Sequence, residues 1–402
     1  MSRHGAAALE GSGTMTMINP NLLAAAGSPI MEAAGWRDAT PLPDGMPLID
    51  LSQAAPATPP HESIRQRLAD AALNEPRAHH YGNVLGNEDL RAEIATQWSD
   101  RYGGMIKAGQ VAVTAGCNQA FCTALMTACA PGDAVMLPAP WYFNHKMWLD
   151  MAGLRCVPLP CGAGMLPDLD TARRRVGDVK AMVLVTPNNP TGAEYPDDLM
   201  RAFFDLAREA GVVLIVDETY RDFHSADGAP HTLFQQTGWE ETLVHLYSFS
   251  KTYRIMGHRC GAMITGAERV EQAEKFLDTV TICPTQMGQI AALHGLRTLG
   301  NWVTAERAEF LGRRRLLEAL FAEKLSNWRL HGAGAYFAFV SPPGGADATV
   351  TAQRLLAEQA ILALPGSMFL PSDMPTDTLR IAFANADGDG IREVVRRLGA
   401  FA

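Results

Sequence analysis

This chain of 402 residues lacks several features that would assign it to a common class of protein. It has no apolar run close to the roughly 20 residues that a membrane-spanning helix needs, and no secretory segment near Met1. Its net charge of -9 argues against a nucleic-acid-binding surface. It contains no Gly-x-Gly-x-x-Gly and no Gly-Lys-Ser/Thr motif, so neither a dinucleotide site nor a P-loop is supported.

The cysteines and the charged residues set further bounds. The seven cysteines include no Cys-x-x-Cys pair. Their odd number favours reduced thiols over a disulfide framework, and we therefore expect a cytoplasmic protein. Only 19% of the residues are charged and 47% are hydrophobic, so the chain can bury a sizeable core and form two domains.

What the sequence does contain is a series of short apolar runs, each followed by polar residues. Helix-favouring stretches such as 89–95 lie between them. This alternation predicts an α/β fold with a mainly parallel sheet covered by helices on both faces, and such folds bind ligands at the strand ends. The runs that matter most are 110–114, 181–185, 211–216 and 242–247.

Lys251 follows the last of these runs, within Ser-Phe-Ser-Lys-Thr. Ser248 three residues earlier and Arg259 eight residues later can supply hydrogen bonds and positive charge to a phosphate. A lysine amine in that setting suits the Schiff base of a pyridoxal phosphate enzyme. A solvated loop lysine is the alternative when nothing else matches.

Asp217 closes the run 211–216, and Tyr220 follows three residues later. A carboxylate at a strand end can hold a pyridine nitrogen protonated, which lets the ring accept electrons from a neighbouring carbanion. Tyr220 can donate a hydrogen bond to the oxygen of the same ring. Taken alone, an aspartate here is also typical of a turn or a helix cap.

Two other turns follow predicted strands. In Asn-Asn-Pro-Thr-Gly, the proline and glycine make a stiff turn that points the amide of Asn189 at the strand ends. Gly116, Cys117 and Asn118 precede a helix-favouring stretch. Because the first N–H groups of a helix lack backbone partners, this second turn predicts a phosphate site.

Together these segments resemble the class I and II aminotransferases, which are fold type I pyridoxal phosphate enzymes, from about Leu51 to the C-terminus. The resemblance implies a fold like that of aspartate aminotransferase, with a seven-stranded, mainly parallel sheet between helices and a smaller α+β domain. It also implies a homodimer with shared active sites. The matching motifs are Asn-Pro-Thr-Gly at 189–192, Asp-x-x-Tyr at 217–220, Ser-x-Ser-Lys at 248–251 followed by Arg259, and the late Arg380.

The resemblance also implies a role for each residue. Lys251 would carry the Schiff base and move the proton, and Asp217 would hold the pyridine nitrogen of pyridoxal 5'-phosphate. Arg380 would clamp the substrate α-carboxylate with a two-bond guanidinium fork. The ligands of the ring oxygen would be Tyr220 and Asn189; the phosphate and ring contacts would be Gly116, Cys117, Asn118, Ser248, Arg259, the stacked ring of Tyr142, and Tyr81 from the neighbouring subunit.

The chain is expected to divide into three parts. Residues 1–45, rich in small residues, predict an N-terminal arm. A large cofactor-binding domain is expected over 46–290, and a small domain, joined by the N-terminal segment, over 291–402. One long helical pattern runs from about 285 to 327, and strand-like runs follow at 335–340 and 379–383.

Two departures from the family pattern concern the substrate. Gln-Ala-Ala-Pro at 53–56 places Ala54 where relatives often have glycine, which can narrow the space for the substrate side chain. The stretch 276–284 lacks the arginine with which members that use dicarboxylic substrates bind a second carboxylate. Aromatic and methionine-rich residues around Tyr142 favour a neutral or apolar substrate.

The reaction implied is transfer of the α-amino group of an L-amino acid to a 2-oxo acid, through a Lys251 Schiff base and a pyridoxamine phosphate intermediate. Burial and nearby cations are expected to lower the pKa of Lys251, so that its amine can act as a base. C–S lyases and decarboxylases of the same fold share nearly all of these residues and remain an alternative. The ligand-sensing domain of a transcription regulator is a second alternative, although the leading segment is not basic and has no helix-turn-helix pattern.

Overall fold

The computed structural model describes residues 17–401, so the first part of the predicted N-terminal arm, 1–16, lies outside the described residues. The helices are α1 (Pro20–Ala24), α2 (Pro29–Ala39), α3 (Glu62–Asn74), α4 (Glu88–Tyr102), α5 (Cys117–Met126), α6 (Phe143–Met151), α7 (Leu169–Arg175), α8 (Asp197–Ala210), α9 (Trp239–Thr242), α10 (Phe249–Thr252), α11 (Ala267–Thr281), α12 (Gln286–Thr298), α13 (Gly300–Lys324), α14 (Ala348–Gln359) and α15 (Gly388–Ala400). The strands are β1 (Ile49–Asp50), β2 (Val111–Thr114), β3 (Ala134–Ala139), β4 (Arg155–Pro160), β5 (Ala181–Val185), β6 (Val213–Asp217), β7 (Leu243–Ser248), β8 (Gly261–Ile264), β9 (Arg329–Gly334), β10 (Phe337–Ser341), β11 (Ile361–Leu362), β12 (Leu364–Pro365) and β13 (Leu379–Ala382).

A seven-stranded sheet in the order β2-β8-β7-β6-β5-β3-β4 forms the centre of the molecule. Strand β8 runs antiparallel to both of its neighbours, whereas the pairs from β7 to β4 are all parallel. The mainly parallel sheet expected from the sequence is therefore confirmed. The strand predicted at 211–216 begins two residues late, because Gly211 takes a left-handed conformation (φ 66°) that ends α8.

The central sheet is buried on both faces. Successive side chains of a strand point to opposite faces, and on β5 Met182 and Leu184 join one hydrophobic cluster while Val183 and Val185 join the other. Helices cover both clusters, as a parallel sheet requires. The carboxyl ends of β2, β5, β6 and β7 consequently meet at one edge, where ligands bind in open α/β sheets.

A second, antiparallel sheet in the order β12-β13-β10-β9 packs with α13, α14 and α15 around its own hydrophobic cluster. The segment before α3 joins this part through parallel pairing of β1 with β11. Position 290 lies inside α12, and Ala291 and Ala292 of that helix pack in the core of the central sheet. The division into domains stays a prediction.

The single helical pattern expected over 285–327 is wrong in one respect, because two helices occupy it. Helix α12 ends before Leu299, whose backbone angles (φ -112°, ψ 21°) are not helical, and α13 starts at Gly300. Leu299 is buried in the core of the central sheet. Within 17–401, none of the helices is long and apolar enough to cross a membrane.

Candidate active site

Lys251 lies on a single helical turn directly after a central strand. Strand β7 ends at Ser248, whose Oγ accepts a hydrogen bond from the backbone N–H of Ser250 at 3.3 Å and so starts α10. The Lys251 Nζ donates to the backbone oxygen of Ala54 at 2.8 Å. Lys251 and Ala54, both predicted for the site, thus contact each other directly, although Ala54 belongs to the segment that joins the smaller sheet.

The environment of Lys251 favours its neutral amine. Burial, followed by repulsion from Arg259 and Arg380, lowers the pKa of Lys251 to about 8. Desolvation and like charges both disfavour an ammonium ion. The direction of this shift is the one expected from the sequence, and it brings the amine into the range in which a lysine can accept a proton near neutral pH.

Asp217 is a buried carboxylate at the end of β6. Its Oδ1 accepts from the Thr219 N–H at 2.9 Å and lies 3.6 Å from the Cys117 Sγ, while its Oδ2 lies 3.2 Å from the His145 Nε2. Burial alone raises the pKa of Asp217, but the hydrogen bonds from His145 and Thr219 and the attraction to His145 outweigh it and lower the pKa below its ordinary value. The group is therefore an anion at neutral pH.

His145 is a site residue that the sequence reasoning missed. It is buried on α6, stacks on the ring of Phe121 with centroids 3.8 Å apart, and meets Tyr142 edge-on at 5.0 Å. A signal was present, because His145 lies only three residues after the predicted ring residue Tyr142, which caps the start of α6. His145 helps to orient the Asp217 carboxylate. Its Nε2 contacts Oδ2, whereas the Thr219 N–H and the Cys117 Sγ contact Oδ1.

Arg380 is a buried cation whose contacts are neutral. Its Nη1 donates to the Asn189 Oδ1 at 3.0 Å, its Nη2 donates to the backbone oxygen of Ser52, and its Nε has no hydrogen-bond partner among residues 17–401. The guanidinium lies over the rings of Phe369 and Phe337, 5.0 and 5.3 Å from their centroids. Burial lowers the pKa of Arg380 to about 10, so the charge persists at neutral pH.

The Asn-Pro-Thr-Gly turn is held by its own side chains. The Asn188 Oδ1 accepts from the Thr191 N–H and Oγ1 at 3.1 and 2.9 Å. Gly192 has a φ of +74°, and a Cβ there would lie 2.3 Å from the backbone nitrogen of Gly334, so only glycine allows β9 to approach. This rigid turn leaves the amide of Asn189 directed at Arg380.

A phosphate-sized corner lies at the start of α5. Gly116 caps the helix with a φ of +88°, and a Cβ on it would lie 2.1 Å from the Arg259 Nη2, so a glycine is needed for the arginine to approach. The Arg259 Nη1 donates to the Met256 backbone oxygen at 2.9 Å. Burial, with a smaller contribution from Asp217, raises the pKa of the Cys117 thiol well above its ordinary value, which agrees with a structural cysteine.

Two tyrosines complete the walls around these groups. Burial raises the pKa of Tyr142 to about 12, and its hydroxyl accepts from the Asn144 Nδ2 at 2.8 Å. Burial likewise raises the pKa of Tyr220 well above its ordinary value. Both phenols are therefore neutral hydrogen-bond donors at physiological pH.

Nine of the residues predicted for the site line one cavity of about 190 Å³, whereas Arg380, Gly116 and Ala54 are not part of its lining. Tyr81 does not reach it within one chain, because its side chain is 80% exposed beside the segment that carries Cys283. Predicted residues that line the cavity are Cys117, Asn118, Tyr142, Asn189, Asp217, Tyr220, Ser248, Lys251 and Arg259; residues not singled out from the sequence are Val185, Thr219, Ser250 and Met256.

The sequence of the whole site region matches a known family. A family model of class I and II aminotransferases covers residues 46–398. The chain belongs to this family. An aromatic aminotransferase from Arabidopsis thaliana is 30% identical over 351 residues, which span 84% of this chain and 83% of the relative. The valine–pyruvate aminotransferase of Mycobacterium tuberculosis is 28% identical over 369 residues, 88% of this chain and 91% of that protein.

Solved structures agree with this assignment. The aspartate aminotransferase of Thermotoga maritima has a TM-score of 0.85 and 25% identity, over 96% of this chain and 99% of that one. An aspartate aminotransferase variant from Thermus thermophilus has the same TM-score at 23% identity, which shows the shared fold. This chain is thus an aminotransferase that uses pyridoxal phosphate, and the lyase alternative is not favoured.

The residues present fit this cofactor. The glycine corner with Arg259 suits a phosphate, and the buried anion of Asp217 suits a cationic ring nitrogen. Lys251 offers an amine with a lowered pKa that lines the same cavity as Asp217 and Arg259.

Proposed function

We propose that this aminotransferase takes its amino group from an L-amino acid with a neutral, apolar or aromatic side chain, and that Lys251 moves the Cα proton. One observation carries the proposal. Arg380 is a buried cation that bonds only a carbonyl and an amide among the described residues, and it lies close enough to Lys251 to lower the pKa of its amine. An uncompensated buried charge favours an anionic partner, and a substrate α-carboxylate is such a partner.

Arg380 would orient the substrate. A guanidinium fork meets a carboxylate through two parallel bonds, so binding fixes the direction of the Cα–H bond. Asn189 already bonds the same guanidinium, and its stiff turn limits how far either side chain can move. One backbone segment also contacts both groups, because the Ser52 oxygen accepts from Arg380 and the Ala54 oxygen accepts from the Lys251 amine.

Lys251 would act as the proton carrier. Its amine, with a pKa of about 8, can accept a proton and return it at neutral pH. The Ala54 carbonyl at 2.8 Å holds the amine in place, which avoids the entropic cost of ordering a long side chain during the reaction.

Pyridoxal phosphate, when bound, supplies an electron-accepting ring that stabilises negative charge at the substrate Cα. Arg259, Ser248 and the first backbone N–H groups of α5 would hold its phosphate. Asp217 would hold the ring nitrogen protonated, and His145 would fix the carboxylate through its contact with Oδ2. The neutral phenol of Tyr220 and the amide of Asn189 would bind the ring oxygen.

The proposed side-chain class rests on the charges of the site. The cations that line the cavity are Lys251 and Arg259, and each has a role already. Among the described residues that line the cavity, no third cation is left for a second substrate carboxylate. The rings of Phe337 and Phe369 flank Arg380, which favours an apolar neighbour. Relatives named for aromatic amino acids and for valine agree with this class.

We also propose a cytoplasmic homodimer. Seven free cysteines support a reducing compartment. The exposed ring of Tyr81 supports a subunit contact, because the family resemblance directs this tyrosine to the phosphate of a neighbouring subunit.

The protein with bound pyridoxal phosphate can be mixed with single amino acids in the absence of any oxo acid. We expect stoichiometric formation of pyridoxamine phosphate with phenylalanine, leucine or valine and little with aspartate. Absorption spectra and chromatography of the released cofactor measure the conversion. Equal conversion with aspartate would contradict the proposed side-chain class, and release of ammonia, sulfide or carbon dioxide would indicate a lyase or a decarboxylase.

Replacing Arg380 with lysine keeps the charge and removes the two-bond fork. We expect KM for the amino acid to rise by about 10- to 100-fold, in line with the cost of disrupting a buried, hydrogen-bonded charge pair. Steady-state kinetics measure KM, and cofactor affinity should stay unchanged because Arg380 lies outside the phosphate corner. Arg396→Lys, at an exposed residue paired with Glu393, is the matched control. An unchanged KM in Arg380→Lys would contradict the carboxylate role.

A further inference from the structure

A buried carboxylate lies close to the lysine turn but outside the cavity. Asp222 is 6% exposed and is not among the residues that line the site. Its Oδ2 accepts hydrogen bonds from the Thr252 Oγ1 at 2.8 Å and from the Tyr247 hydroxyl. Its Oδ1 lies 3.4 Å from the Arg221 Nη2.

The two hydroxyl partners of Asp222 lie on either side of Lys251 in the sequence. Tyr247 is on β7, just before the turn, and Thr252 is the residue directly after Lys251. The Tyr247 and Thr252 hydroxyls lie 3.1 Å from each other. One carboxylate oxygen and two hydroxyls therefore close a triangle that joins the end of a rigid strand to the end of α10.

Asp222 is an anion in this position. Burial raises its pKa, but attraction to Arg221 and Arg101 and the hydrogen bonds from Tyr247 and Thr252 outweigh that effect and lower the pKa below its ordinary value. The Arg221 guanidinium is itself buried over the rings of Trp98 and Tyr247, at 3.8 and 4.6 Å. A charged acceptor strengthens both hydroxyl bonds compared with a neutral one.

Other contacts hold mainly the beginning of α10, where the Phe249 N–H donates to the Cys260 backbone oxygen at 3.2 Å and the Phe249 ring is buried in the core. The helix has four residues, too few for its own hydrogen bonds to make it stable. The Ser248 cap fixes its beginning, and the Tyr336 hydroxyl reaches the Lys251 carbonyl only at 3.4 Å. The bond from Thr252 to Asp222 is the shortest side-chain tie at its end.

We propose that Asp222 is a positioning residue for Lys251: by joining Thr252 to Tyr247 it fixes the turn from which the amine projects. The inference rests on the proposed role of Lys251. Asp222 acts only through the backbone of α10, since its bonds are to Thr252, Tyr247 and Arg221. If the bond between Thr252 and Asp222 is lost, α10 can shift and the Lys251 amine gains contact with water. Burial, the main cause of the lowered pKa of Lys251, is then reduced.

The test uses a matched pair at position 252 in the cofactor-free full-length protein. Thr252→Val keeps the shape and removes the hydroxyl, whereas Thr252→Ser keeps the hydroxyl. Only a neutral amine is acylated by acetic anhydride, so the pH dependence of Lys251 acylation, followed by mass spectrometry, reports its pKa. We expect a midpoint near pH 8 for the unaltered chain and Thr252→Ser. For Thr252→Val we expect the midpoint to rise by about one pH unit toward the ordinary lysine value.

A kinetic measurement on the holoenzyme provides a second readout. In Thr252→Val and in Asp222→Asn, we expect the first-order rate of the amino-donor half-reaction to fall by about 10- to 100-fold, as for a misplaced reacting group. KM should stay within about twofold, because carboxylate binding is untouched. The double variant should lose no more than the worse single one, since both changes break one link. Asp205→Asn, at an exposed residue paired with Arg208, is the control.

Two results would overturn the inference. One is a Thr252→Val protein that equals Thr252→Ser in both the acylation midpoint and the half-reaction rate. The other is a double variant, Thr252→Val with Asp222→Asn, in which the losses in half-reaction rate of the two single variants add. If Asp222→Asn does not fold, the pair at position 252 still decides. These outcomes are separate from failure of the proposed function, which a fully active Lys251→Ala protein would show.

Discussion

Amino transfer by the Lys251→Ala protein is expected to be slower by about 10⁴-fold in kcat, because the variant loses both the proton-carrying amine and the covalent attachment of the cofactor. The groups at the phosphate corner, Gly116 and Arg259, are untouched, so the variant should still bind pyridoxal phosphate reversibly. Single-turnover kinetics with phenylalanine measure the first loss. Borohydride reduction followed by mass spectrometry measures the second.

A matched control for this variant is Lys275→Ala. Lys275 is an exposed lysine on α11 that bonds Gln272 on the same helix, far from the cavity lining. Its removal should leave kcat and borohydride labelling unchanged. The proposed role of Lys251 would be refuted if borohydride still attached the cofactor to the Lys251→Ala chain and kcat were retained, because another lysine would then carry the reaction.

Replacing Asp217 with asparagine is expected to produce the second-largest effect, a fall in kcat of about 10²- to 10³-fold, similar to the loss of a preorganised electrostatic contact. An amide keeps the volume and can still accept from the Thr219 N–H, but it carries no charge to hold a ring nitrogen protonated. The loss should appear mainly in kcat, because Arg380 and the substrate contacts are unchanged. Half-reaction kinetics with the preferred donor measure it.

The charge at Asp217 can be separated from its packing with two further proteins. Asp170→Asn, at an exposed residue paired with Arg173, controls for loss of one negative charge and should be fully active. Asp217→Glu keeps the charge but displaces it from His145, and we expect intermediate activity because the carboxylate no longer meets both Thr219 and His145. A kcat for Asp217→Asn equal to that of Asp170→Asn would contradict the proposed role.

Local pattern placed four strands of the central sheet, β2, β5, β6 and β7, to within two residues at each end. The run 181–185 coincides with β5, Asp217 ends β6 as expected, and β7 ends at Ser248, one residue after the predicted run 242–247. Apolar runs of this length, bounded by turn residues, are typical of strands buried on both faces. Because parallel strands share one carboxyl edge, these end residues had to meet once the fold class was known.

Contacts between segments that are distant in the sequence could not be predicted from local pattern. Thr219, two residues after Asp217, lines the cavity, and its N–H turns back onto that carboxylate. His145 reaches the same carboxylate from α6, and the Ser52 carbonyl reaches Arg380 on β13 from the segment that follows β1. The break at Leu299 also escaped prediction, although Gly300 and Asn301 follow it directly and such residues after a helical pattern are a stop signal.

Sequence alone therefore determined the family and the cofactor and predicted the chemical groups of the site, because motifs at strand ends encode local backbone geometry and side-chain chemistry. Tertiary structure alone decided which atoms these groups meet: the Ala54 carbonyl on the Lys251 amine, the neutral partners of Arg380, and the tie from Asp222 to Thr252. The physical reason is that burial and long-range contacts, which no local pattern specifies, set the pKa of Lys251 and the direction of its side chain.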